Sequence, residues 1–236
     1  MTSHAAIRAG FVRGWDVNRR TRRAPILLRH YHRYLRDGNT AAFIQALAGT
    51  YTVATLARLG TGGPRITRRA AILGLGFLGG YEVNPVVAGA LRDPDRGVRL
   101  VAESGLRAVW CRAGNTAQQQ RLANMIRLNL ARRYEEAREL ASELIEEAPG
   151  FAEAWNQRAI ACFQLGQYHA SISDCEEVLA RNLFHFAAAS GMGQCHLELD
   201  EPQAALNCFR RALELNPSLE AVRVQIRYLV RALEER

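Results

Sequence analysis

The chain has 236 residues, 48% hydrophobic and 23% charged, with a formal net charge of +8. That length allows one or two domains burying roughly 70–75% of their unfolded surface, in the composition range of soluble globular proteins. The longest apolar run, "AAILGLGFLGG" at 70–80, is far short of the ~20 residues of a membrane span, and the arginine-studded start lacks the apolar core of a secretory signal.

The positive charge sits at the beginning. Residues 1–36 hold nine arginines and one acid, Asp16, whereas 37–236 hold 22 arginines and 22 acids. The basic balance therefore belongs to an N-terminal arm, 1–38, and the body is neutral. Within the arm, "RGWDVNRRTRRAPILLRHYHRYLR" (13–36) sets arginines beside Trp15, Tyr31 and Tyr34. Three readings fit it. A helix after Pro25 would pack Ile26, Leu27, Tyr31, Tyr34 and Leu35 on the first repeat. Arginine beside aromatics also suits phosphate contact and base stacking. An arginine-rich, acid-poor leader matches an organelle presequence as well. A structural or disordered arm ranks first, and nucleic acid ranks below a protein partner.

In "LRDPDRGVRLVAESGLRAVW" (91–110) an Asp-Pro turn precedes Val98, Arg99, Ala102 and Leu106 at helical spacing. Thirty-one residues earlier, Arg68, Ala71 and Leu75 stand in the same register. Two helix-pair units, roughly 50–80 and 84–112, are predicted within 39–114. The pattern resembles a HEAT-type repeat. The resemblance implies a ladder between neighbouring units, built from a turn aspartate and a second-helix arginine, and Asp93 and Arg99 match those places. So short an array needs a cover for its apolar face, which the following block is expected to supply. "LGLGFLGG" (73–80) follows a helix pattern, so close helix packing is expected there before phosphate binding. Gly114 suits a helix stop, and Thr116-x-x-Gln119 reads as a capping box opening the next helix. A junction this short predicts one continuous all-α body.

A 34-residue period then governs 118–219. Cys175 aligns with Phe209, Val178 with Ala212, and Leu179 with Leu213. In units 118–151, 152–185 and 186–219, small residues fall at position 8 (Ala159, Gly193) and position 20 (Ala137, Ser171, Ala205). They let paired helices approach. Larger side chains such as Trp155, Met192 and Phe209 fill the space between units, and Pro149 and Pro217 end the second helices. This resembles the tetratricopeptide repeat. Arg158 departs from it at position 7, where leucine is usual, and Leu183 stands where proline is expected. The first helix of the first unit keeps little of the pattern, with Arg121, Asn124 and Met125 at positions 4, 7 and 8. The predicted fold is an all-α, right-handed α-solenoid: HEAT-like helix pairs, then three tetratricopeptide units in 115–236, closed by a capping helix at 220–236.

No Walker loop, GxSxG, HExxH or His-Glu dipeptide occurs, and neither catalysis, cofactor nor metal is expected. Some HEAT-repeat proteins are metal oxygenases carrying His-Glu pairs on their helices, a branch this chain does not match. Cys162 and Cys175, like Cys195 and Cys208, are thirteen residues apart, with His169 and His196 nearby. One cysteine per helix of a unit explains that spacing without zinc, and reduced core thiols are expected for all five, including Cys111.

The tetratricopeptide resemblance implies a concave groove lined by first-helix positions 2, 5, 9, 12 and 13. Here those include Glu153, Asn156, Ile160, Gln164, Ser190, Gln194, Leu197 and Glu198, with Val224 and Tyr228 in matching places on the cap helix. Members that bind chaperone tails clamp a terminal carboxylate with Lys, Arg and Asn, and only Asn156 resembles such a residue. The expected function is a non-catalytic, cytoplasmic protein-interaction scaffold that takes an unidentified peptide or helix in this groove. A polyanion-associated protein acting through the arm is the alternative. No membrane contact is expected.

Overall fold

The computed structural model describes residues 25–235, and among these the regular elements are all helical. Arg8, Arg13, Trp15, Arg19, Arg20, Arg22 and Arg23 of the basic arm lie outside the described residues. The rest of the arm is helix α1 (Ile26–Asp37). Its buried stripe is Leu27, Tyr31 and Tyr34, at the i, i+4, i+7 spacing of one helix face. Ile26 lies about 100° around the helix from that stripe and is 44% exposed, so it does not join the packing expected of it.

Helices α2 (Thr40–Ala48), α3 (Val53–Gly62), α4 (Arg65–Leu78), α5 (Asn84–Gly89) and α6 (Arg96–Cys111) complete the first block. Ala71, Leu75, Ala102 and Leu106 all share its core and are fully buried. The glycine-rich stretch brings α4 and α6 together: a Cβ on Gly76 would lie 2.8 Å from the Cα of Gly105. The ladder is present one register earlier than Arg99. Arg68 donates to both carboxylate oxygens of Asp93, at 2.7 and 2.8 Å, and Arg69 pairs with Asp95 at 2.6 Å. Arg99 has no following aspartate turn, and donates instead to the Asp93 carbonyl (2.8 Å) and to Ser218 Oγ (3.1 Å) in the distant block.

The second block is a series of helix–turn–helix pairs: α7 (Thr116–Leu130) with α8 (Tyr134–Glu147), α9 (Ala152–Gln164) with α10 (Tyr168–Arg181), and α11 (Phe186–Glu198) with α12 (Pro202–Leu215). Helix α13 (Glu220–Glu234) follows. The period is written in the backbone. Arg132, Gly166 and Asp200, 34 residues apart, all have positive φ (60°, 74° and 56°) in the turn between paired helices. Ala137, Ser171 and Ala205 are buried at the helix crossings.

Both departures from the pattern have partners. Arg158 forks onto Asp174 at 2.9 and 2.7 Å and lies 4.9 Å above the Trp155 ring. Without a proline, α10 still ends, because Asn182 accepts the Phe184 N–H at 3.2 Å, as Asn216 accepts that of Ser218 at 3.0 Å one period later. The capping box at the junction is one residue earlier than expected. Asn115 accepts from Gln118 N and Gln118 Oε1 accepts from Asn115 N, each at 3.0 Å, since Asn is the stronger N-cap. Helix α6 stops at Cys111, before Gly114 is reached.

The following block does cover the first, and it does so mostly with its second and third units. Trp110 stacks on His185 (centroids 4.1 Å apart) and tilts against Phe186 at 5.2 Å. Its Nε1 donates to Asn84 Oδ1 (2.8 Å), and Asn84 Nδ2 donates to Asn182 Oδ1 (2.9 Å). Asn216, the repeat equivalent of Asn182, donates to Glu103 at 3.2 Å. Two equivalent turns thus hold two places on α5 and α6, and Phe186 joins the first block's core. Among the described residues no single helix is long and apolar enough to cross a membrane.

Candidate partner-binding groove

The first helices of the pairs, α7, α9 and α11, border a cavity of ≈490 Å³. Ile126 of α7, Glu153, Asn156, Ile160 and Gln164 of α9, and Gln194 of α11 line it. The C-terminal end of α6 closes one side with Arg107, Trp110 and Cys111. Five of the ten predicted groove residues therefore meet in one cavity. Gln194 also donates to Gln225 Oε1 at 2.8 Å, tying α11 to α13. On α13, Val224 and Tyr228 are 53% and 73% exposed, large apolar side chains left to solvent. Ser190 and Leu197 are half-buried, and Leu197 packs against the core of the second and third units. Glu198 is exposed and accepts a long hydrogen bond from the Tyr168 hydroxyl, 3.4 Å.

Glu153 and Asn156 line the cavity but are buried and already engaged. The Glu153 carboxylate accepts from Asn156 Nδ2 (2.7 Å), Gln157 Nε2 (3.0 Å) and His185 Nε2 (3.1 Å). Nδ1 of His185 accepts the Ala188 N–H at 3.0 Å, capping α11, which leaves Nε2 to donate to Glu153. Burial pushes the Glu153 carboxyl upward, but the hydrogen bond and the electrostatic attraction of His185, with hydrogen bonds from Gln157 and Asn156, outweigh it and hold the pKa below the ordinary glutamate range. Glu153 is a buried carboxylate held by three side-chain donors. Both nitrogens of His185 serve structure.

The thiols behave as core residues. Burial, and then the negative charge of Glu153, push Cys111 up to about 12, and burial also raises Cys162, Cys175, Cys195 and Cys208. Cys195 donates to Ser171 Oγ at 3.3 Å. Among the described residues no group of three or more His, Cys, Asp or Glu side chains is placed to hold a metal ion.

Ile126 occupies the same repeat position as Ile160 and Gln194, so the period itself could have found it. Arg107, Trp110 and Cys111 had no such signal, because they arrive from an element outside the repeat.

Residues 187–219 match the Tetratricopeptide repeat family model, and residues 131–182 match a second model of the same description. A TPR repeat-containing protein of Rhizobium etli is 31% identical over 147 residues, covering 60% of this chain and 69% of the relative. Among solved structures, the first TPR of Spaghetti (RPAP3) bound to an HSP90 peptide is 23% identical, with a TM-score of 0.48 over 50% of this chain and 93% of that one. The TPR2AB-domain:pHSP90 complex of yeast Sti1 is 16% identical, with a TM-score of 0.44 over 86% and 94%.

Proposed function

The chain belongs to the tetratricopeptide repeat family, and we propose that it is a non-catalytic, cytoplasmic protein-interaction scaffold whose concave groove takes an extended peptide or a helix of a protein partner. We take the units as 118–151, 152–185 and 186–219 with a cap at 220–236, and the HEAT-like block 39–114 as a buttress that sets one wall of the groove. The observation that carries the reading is the exposure of large apolar side chains on first-helix positions. Ile160, Val224 and Tyr228 are 40%, 53% and 73% exposed, while the apolar residues of the helix crossings behind them are buried. Gln164 and Gln194 add amides able to bond a partner's backbone without demanding its sequence.

The test is capture of partners by the full-length chain, followed by affinity measurement on the protein recovered. The double variant Ile160→Ala/Tyr228→Ala should weaken binding at least tenfold while leaving thermal stability nearly unchanged, because both side chains are exposed. With no charge cluster along the face, binding should depend only mildly on salt. A partner that ignores this variant but is lost when Glu139 and Glu176, on second helices, are replaced by alanine would place the interface on the other face.

A further inference from the structure

We propose that the cavity between α6, α7, α9 and α11 is a socket for a basic side chain of the partner peptide, with Glu153 as its counter-charge. The inference rests on the groove reading and adds what that groove selects.

Buried charges are ordinarily paired. Glu153 is 6% exposed and its three side-chain donors are Asn156, Gln157 and His185, none of them an arginine or lysine. A carboxylate offers about four acceptor sites, so one remains for a further donor. The cavity has room for such a donor at ≈490 Å³, within the ~300–1,000 Å³ typical of ligand sites. Its other walls are chiefly apolar and aromatic, with Trp110, Phe163, Ile126 and Ile160. That combination matches an arginine or lysine, whose hydrocarbon stem packs on apolar surface and whose head seeks an anion and an aromatic face. Arg107 at the same cavity does not already neutralise the site. Its guanidinium faces Glu103 at 3.6 Å, lies 5.3 Å from the Phe186 ring centroid, and the side chain is 56% exposed. The polarity is opposite to that of a carboxylate clamp.

The probe is the acetylated, amidated tripeptide Leu-Arg-Leu, compared with the same peptide carrying citrulline, which keeps the shape of arginine and removes its charge. Titration into full-length protein is followed by amide and indole NMR shifts. The arginine peptide should bind at least ten times more tightly than its citrulline twin, shifting Trp110 and residues 153–164. In Glu153→Gln both peptides should bind at the citrulline level. If that variant fails to fold, the comparison on the unmodified protein decides alone. Equal affinities, no binding, or shifts confined to another surface would overturn the inference. So would a marked gain in probe affinity when Arg8, Arg13, Arg19, Arg20, Arg22 and Arg23 are changed to Gln in the full chain, since the chain's own arm would then be the occupant. Equal binding of the two peptides leaves the groove reading standing. A partner indifferent to Ile160→Ala/Tyr228→Ala removes that reading whatever the peptides do.

Discussion

Trp110→Ala should uncouple the two blocks of helices. The indole is 3% exposed, stacked on His185, in contact with Phe186, and bonded through Nε1 to Asn84. Truncating a buried aromatic costs about 3–5 kcal/mol, of which the stacking geometry accounts for about 0.5–1.5 kcal/mol. The loss also frees Asn84 Oδ1, whose amide holds the turn at Asn182. For a chain of this size each kcal/mol is worth about 2–4 °C, so Tm should fall by about 6–20 °C. Trp110→Phe retains a ring against His185 but deletes the donor, and should cost about 1–3 kcal/mol. Urea unfolding followed by far-UV circular dichroism measures both. Amide exchange should show the start of α11 loosening with α6, because Phe186 lies in the first block's core. A cost below about 1 kcal/mol for Trp110→Ala would mean that the blocks touch without supporting each other, and would refute this reasoning.

Arg158→Leu, which restores the usual family residue, should destabilise the fold by about 3–5 kcal/mol by stranding the buried Asp174, and Arg158→Leu/Asp174→Leu should recover most of it; unfolding midpoints decide, and a stabilised single variant would refute the pairing. Arg132→Gly should raise stability by about 0.5–1 kcal/mol in the same assay, since the native φ of 60° strains a side-chain-bearing residue. The hydrogen bond from Arg68 lowers the Asp93 pKa, and Asp95 is lowered because bonds from Arg69 and Val98 outweigh its burial. Their contribution is therefore fully present above the ordinary aspartate pKa of 3.8 and is lost as pH falls through the lowered folded values. A urea series on either side of that value should show the decline, and Asp93→Asn should make it smaller.

The repeat was legible because its signals are local and recur. Alanines and serine at position 20, Phe209 at position 24 and the turns at Arg132, Gly166 and Asp200 all obey one period. The ladder was half legible. Asp93 was readable as a turn residue, but its partner is Arg68 because the rung joins a helix to the following turn. Docking between blocks was not legible in detail. It depends on Asn84, Trp110 and Glu103 meeting turns about 75–115 residues away, and no spacing rule connects them. The same gap limited the groove. Glu153 and Asn156 sit at groove positions, yet the end of α6 lies over that part of the face and both are buried. Ile160, Val224 and Tyr228 lie further along and stay open to solvent.

The most direct test of the groove is the amide-exchange footprint of the full-length chain bound to a captured partner. Protection should fall on α9, α11 and α13, centred on Ile160, Gln194 and Tyr228, with α8, α10 and α12 unchanged. Protection on α8, α10 and α12, with those first helices exchanging as in the free protein, would contradict the account.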